Sequence, residues 1–150
     1  MPSIRISELI KGNKYALVFD AWSSVRRATE ARIGQDQSPW ATYGVVSPSL
    51  TPAKQPVTYS FVMQGPTDLN ARLMFNMGAA LGDIYLDNIR FFNVASGDFN
   101  LDGKVDLLDL KTLTGDWLKQ QGGLSTDLDG SGRVDFKDFG ILGESWSGSP

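Results

Sequence analysis

Two stretches decide the reading of this chain: Asp98-Phe-Asn100-Leu-Asp102-Gly103-Lys104-Val105-Asp106-Leu107-Leu108-Asp109 and, 29 residues further on, Asp127-Leu-Asp129-Gly-Ser131-Gly132-Arg133-Val134-Asp135-Phe136-Lys137-Asp138. Each places oxygen-bearing side chains at positions 1, 3, 5, 9 and 12 of a twelve-residue segment, with glycine at position 6. A hard cation such as Ca²⁺ takes about six to eight oxygens, and this spacing wraps a short loop around one ion. The glycine permits the sharp bend, and position 7 offers its backbone carbonyl. The candidate ligands of the first loop are therefore Asp98, Asn100, Asp102, Lys104, Asp106 and Asp109. Those of the second are Asp127, Asp129, Ser131, Arg133, Asp135 and Asp138. Val105 and Val134, both at position 8, are expected to pair the loops through a short β contact.

The register runs on past the loops: Leu110 matches Phe139, Leu113 matches Leu142, and Trp117 matches Trp146. Apolar residues three or four apart after each loop predict one amphipathic helix per repeat. Position 12 is Asp where an EF-hand has Glu, so the shorter arm must reach the ion from a differently placed helix. About fifty residues bury little apolar surface, chiefly through Val105, Leu110, Leu113, Trp117, Val134, Phe139, Leu142 and Trp146. Four carboxylates per loop also repel one another until a divalent cation neutralises them. Residues 97–146 are accordingly expected to fold with calcium and to be largely unfolded without it.

Charge draws a boundary just before the first loop. Residues 1–96 carry nine Lys/Arg against seven Asp/Glu, whereas residues 97–150 carry five against ten. The expected organisation is a β domain over 1–95, a calcium module over 97–147 and a tail at 148–150. No apolar run approaches a bilayer-spanning length. With no cysteine and no histidine, disulfides, zinc fingers, thiol nucleophiles and the Ser-His-Asp triad are excluded, together with nearly every zinc or copper site. Glu8, Glu30 and Glu144 fall on separate elements, without the paired-carboxylate logic of a glycosidase. A net charge of −3 argues against nucleic acid. A non-enzymatic role is the expectation.

The first ninety-odd residues alternate in the manner of strands. Tyr15, Leu17, Phe19 and Ala21 share a face; Val57, Tyr59, Phe61 and Met63 share another; Ala71, Leu73, Phe75 and Met77 a third. With Lys11-Gly12-Asn13, Gln64-Gly65-Pro66 and Gly78–Gly82 as turns, the fold class is mainly β, an antiparallel β-sandwich, plus the small α module. The non-core faces carry Asp20, Trp22, Glu30, Arg32, Arg72 and Asn76, and Trp40 and Tyr43 lie in the loop after Gln37. Trp22, Arg32, Trp40, Tyr43, Arg72 and Asn76 are the candidate ligand contacts, and the resemblance given below implies that the ligand is a carbohydrate, whose C–H face aromatic plates stack on and whose hydroxyls Arg and Asn hydrogen-bond.

Paired loops ending in Asp, each followed by one helix, resemble a type I dockerin domain, and Asp98 to Trp146 spans such a module. The resemblance implies two calcium ions and a cohesin-type protein partner. It places recognition at loop positions 10 and 11, here Leu107, Leu108, Phe136 and Lys137. Gly12–Ala21, Ile33–Trp40, Asn70–Asn76 and Gly82–Ile89 resemble, in order, carbohydrate-binding modules of families four and nine, which are β-jelly rolls. Such modules carry further strands before Ile4–Ile10, so the jelly roll is expected to be N-terminally truncated. Their last-strand acidic residue, here Asp87, implies a third calcium in the sandwich. The expected whole is the non-catalytic part of a secreted polysaccharide-degrading enzyme, binding a β-glucan or xylan. The alternative is a calcium-stapled spacer without sugar affinity. Loops of this type stay filled where calcium is near millimolar, so an extracellular or cell-surface location is expected, with the export signal upstream of Met1.

Overall fold

The computed structural model describes residues 3–6, 8–78 and 80–147, so the 148–150 tail lies outside the described residues. The chain divides into two compact units, Met1–Phe92 and Asn93–Pro150.

The first unit is built from β1 (Ser3–Arg5), β2 (Lys14–Ser23), β3 (Arg27–Ala28), β4 (Glu30–Gln35), β5 (Thr42–Val46), β6 (Ser49–Leu50), β7 (Gln55–Val62), β8 (Ala71–Asn76) and β9 (Ile84–Asn93). They form a four-stranded sheet β1-β8-β4-β5, a three-stranded sheet β7-β2-β9 and a small β3-β6 ribbon. β2 pairs antiparallel with β7 from Lys14↔Val62 to Ala21↔Gln55, and β4 with β8 from Glu30↔Asn76 to Gln35↔Ala71. Period-2 alternation sends Tyr15, Leu17, Phe19 and Ala21 of β2 inward, to meet Ala31 and Ile33 of β4 and Ala71, Leu73 and Phe75 of β8. Phe19 meets Phe75 edge-on at 5.5 Å, an aromatic contact joining the two sheets.

One consequence departs from the sequence reading. Asp20 and Trp22 stand on the outside of the three-stranded sheet, whereas Glu30, Arg32, Arg72 and Asn76 stand on the outside of the four-stranded one. Alternation tells inside from outside, but sheet membership depends on which strands pair. The candidate sugar contacts therefore belong to two faces.

The second unit holds α1 (Leu107–Gly115) and α2 (Phe136–Glu144). Its core is Val105, Leu113, Val134 and Leu142, with Phe99, Trp117, Leu124 and Leu128 packed against them. Phe139 and Trp146, expected in that core, are 44% and 39% exposed. The helix phase is set by the loop: Asp109 and Asp138 point inward, so the residues one turn later, Leu113 and Leu142, do so too.

Candidate functional site

Each acidic loop is closed by its first and last carboxylates. Asp98 accepts the N–H groups of Asp102 and Gly103 at 3.2 and 3.0 Å, and Asp127 those of Ser131 and Gly132 at 3.0 and 2.7 Å. Gly103 and Gly132, at φ +88° and +82°, supply the bend that aims these N–H groups inward. Asp109 then accepts from Phe99 and Asp106 at 2.8 and 3.0 Å, and Asp138 from Leu128 and Asp135 at 2.7 and 2.8 Å. The short position-12 side chain thus ties the loop's start to the helix's first turn. Asp106 and Asp135, at position 9, are the helix N-caps, accepting from Leu108 and Lys137 in reciprocal capping boxes.

The charges in these loops call for a cation. Asp98 is 3% exposed, and Asp109 and Asp138 are fully buried. Among the described residues no lysine or arginine forms a salt bridge with any of the three. Burial pushes the Asp98 carboxyl up from its ordinary range. Buried charges persist when paired or when they coordinate metals. In the second loop, carboxylate oxygens of Asp127, Asp129 and Asp138 lie within 4.8 Å of one another. Ser131 Oγ donates to the Arg133 carbonyl at 3.1 Å, bringing positions 5 and 7 together. The first loop sets Asn100 Nδ2 against Asp102 at 3.0 Å, and Lys104 N–H also donates to Asp102. These all-oxygen donors fit Ca²⁺, which would be held by the side chains at positions 1, 3, 5 and 12 and the position-7 carbonyl.

The two loops do not pair through Val105 and Val134 as expected. Ser147 N–H donates to the Val105 carbonyl at 2.9 Å, and Val105 N–H to Ser147 Oγ at 2.7 Å. Leu118 N–H donates to the Val134 carbonyl at 2.9 Å, and Val134 N–H to the Lys119 carbonyl at 3.1 Å. Each position-8 residue is thereby clamped by the segment leaving the other repeat's helix, which consumes the backbone groups a direct valine ladder would need.

The partner-recognition candidates turn their side chains to solvent. Leu107, Leu108 and Phe136 are 70%, 60% and 79% exposed, and Lys137 is exposed as well. Phe136 meets Trp117 edge-on at 5.0 Å.

On the four-stranded sheet, Arg32 and Asn76 converge on Glu30 Oε1 at 3.0 and 2.6 Å. Arg72 pairs with Asp36 at 3.2 Å, and its guanidinium lies 5.1 Å from the centre of the Trp40 ring. Trp40 is 57% exposed and sits at φ +62°, a left-handed backbone that costs a bulky residue on the order of 1–3 kcal/mol. At Gly34, a Cβ would fall 2.5 Å from the Ala41 carbonyl, so glycine is what lets the loop carrying Trp40 close against β4. Tyr43 donates its hydroxyl to Asp68 at 3.0 Å, and burial followed by that carboxylate pushes the phenol up. Trp22, on the other face, stacks against Tyr85 at 5.3 Å, with the Lys54 ammonium 5.2 Å from its ring. Glu30 was placed on this face from the sequence, but Asp36 and Asp68 were not singled out, because an acid in a connecting segment reads as ordinary solvated charge.

Residues 96–144 match the family model of the dockerin type I domain. The second unit is dockerin-like. Type I dockerin domains bind calcium, in accord with the loops above. The first unit is similar to a solved structure described as "CBM4 structure and function", with TM-score 0.58 and 24% identity over 61% of this chain and 59% of that one. It is also similar to the N-terminal cellulose-binding domain of Cellulomonas fimi β-1,4-glucanase C, with TM-score 0.50 and 23% identity over 62% and 69% of the two chains. The chain thus spans less than two thirds of the first of these structures. At such identities the likeness is one of fold: a CBM4-like β-sandwich is followed by a dockerin-like module. No curated protein matches the chain.

Asp87, the metal ligand expected in the CBM4-like sandwich, is paired with a lysine. Asp87 is 2.7 Å from Lys54 Nζ, which also lies 3.2 Å from Asp20, and Asn88 Nδ2 donates to Asp20 at 2.7 Å. The lysine lowers the Asp87 carboxyl, Asn88 and then Lys54 lower Asp20, and the two acids hold the ammonium up. Lys54 thus supplies positive charge to both acids.

Proposed function

We propose that this chain is a non-catalytic attachment region of an extracellular polysaccharide-degrading enzyme. The dockerin-like module binds two calcium ions, one per loop, through the side chains at loop positions 1, 3, 5 and 12 and the position-7 carbonyl, with the position-9 carboxylates Asp106 and Asp135 capping the helices beside them. So folded, it presents Leu107, Leu108, Phe136 and Lys137 to a cohesin-type partner. The CBM4-like sandwich binds a β-glucan or xylan on the outside of its four-stranded sheet. There Trp40 is the stacking plate, Arg72 and Arg32 are donors, and Asn76 and Tyr43 complete the polar rim. The observation carrying the reading is the pair of loops whose buried Asp98, Asp109 and Asp138 have no cationic side chain to pair with. The exposed, left-handed Trp40 under an arginine supports the glycan half. Calorimetric titration of the chelated chain with CaCl₂ tests it, with two ions per chain and a coupled gain of helical circular dichroism expected. One ion, or none, would refute the calcium half. Soluble β-glucan and xylan titrated into the calcium-loaded chain test the glycan half, with Kd of about 10–1000 μM expected.

A further inference from the structure

The outside of the three-stranded sheet carries a strip that the four-stranded face does not explain. Along β2, the outward residues Val18, Asp20 and Trp22 span about 13 Å at strand rise. At one end, Trp22 and Tyr85 stack with planes only 13° apart, and Tyr85 stays 44% exposed. At the other end, a depression of about 550 Å³ is lined by Val18, Asp20, Pro56, Asn88 and Arg90, among others. Its size lies in the range of small-ligand sites. Between the two ends, Lys54 is held by Asp20 and Asp87, and Asn88 keeps its backbone at φ +51° while its amide reaches Asp20.

Chemistry selects the occupant. An exposed aromatic edge beside fixed amide, carboxylate and ammonium groups suits a ligand with an apolar face and a hydroxyl rim, which is a pyranose ring. Asp20 and Asp87 balance Lys54 and Arg90, so the strip has no net charge and favours a neutral chain over a uronic acid polymer or a nucleic acid. We infer that the outer face of β7-β2-β9 is a second glycan-binding surface, contacted through Tyr85, Trp22, Asn88 and Val18. It takes a neutral pyranose chain independently of the Trp40 face. Two faces on one sandwich make binding to a polymer bivalent, which raises avidity without further contacts. The inference rests on the glycan reading above, and its test separates the two.

The four tryptophans give separate indole N–H signals, so Trp22 and Trp40 report on the two faces in one NMR titration of the calcium-loaded chain with cellohexaose. Both signals should shift, with different midpoints. In Trp40→Ala the Trp22 shift should persist, and in Tyr85→Ala it should weaken at least tenfold while the Trp40 response is unchanged. Val18→Lys, a change in the depression away from the aromatic pair, should block the Trp22 response as well, and it carries the test should Tyr85→Ala perturb the sheet. A Trp40 shift with an unmoved Trp22 signal overturns the second surface and leaves the first reading standing. Neither signal moving overturns both.

Discussion

At the residue scale, two side chains carry tests of opposite kind. Trp40 is mostly exposed and packs into no core, so Trp40→Ala should leave the thermal midpoint of the sandwich unchanged or slightly raised. It should still cut affinity for a soluble β-glucan at least tenfold, about 1.4 kcal/mol, in affinity electrophoresis. Retained affinity would return Trp40 to a loop-shaping role. Lys54 acts through charge. Asp20 and Asp87 have folded-state pKa values below their unfolded value of about 3.9, so their contribution is present above that value. It is lost as pH falls through the lowered folded values. Thermal melts should therefore show the wild-type sandwich losing stability below about pH 4, and Lys54→Met should flatten that loss. The same residues show what the sequence made legible. Asp87 was visible as an acid on the last strand, but the lysine answering it comes from 33 positions earlier and no local pattern links them.

At the element scale, α1 and α2 are nine residues each, too short to persist alone in water. Their starts are held by Asp106 with Asp109 and by Asp135 with Asp138, groups that also stand at ligand positions. Asp138→Ala removes one proposed ligand together with the acceptor for the Leu128 and Asp135 amides. It should abolish one calcium site and most of the α2 contribution at 222 nm. The loss should spread to the first loop by a named route, since α2 leads into Ser147, which clamps Val105. A calcium titration of Asp138→Ala should show the remaining ion binding several-fold more weakly, whereas unchanged affinity would mean that the clamps carry no coupling. The 29-residue period made both loops and both helices legible. The clamps were not, because Leu118 and Ser147 lie in segments with no periodicity of their own. Phe139 was misplaced because apolar spacing marks a helix without fixing its phase, which the inward Asp138 fixes; Trp146 lies past the end of α2 at Glu144, outside the helix that the spacing predicted.

At the scale of the whole molecule, the two units meet their need for positive charge differently, and this separates their responses to calcium. In the dockerin-like module, buried Asp98, Asp109 and Asp138 find no lysine or arginine among the described residues, and the proposed calcium ions would supply the charge. Its four fully buried apolar side chains make a small core, the regime in which metal binding becomes folding free energy. The CBM4-like sandwich has a larger core, from Leu9 and Phe19 to Phe75, and its outer acids Asp20 and Asp87 are paired with the exposed Lys54. Calcium removal should therefore act on one unit only. Differential scanning calorimetry in excess EDTA should lose the transition of residues 93–150 and keep that of the sandwich within a degree or two. Glycan affinity measured in the same buffer should be unchanged. If EDTA also lowered the sandwich transition or abolished glycan binding, the sandwich would hold an ion of its own, and Lys54 would no longer account for the charge at Asp20 and Asp87. Magnesium should restore the first transition poorly, because it gives up water reluctantly to a large oxygen cage.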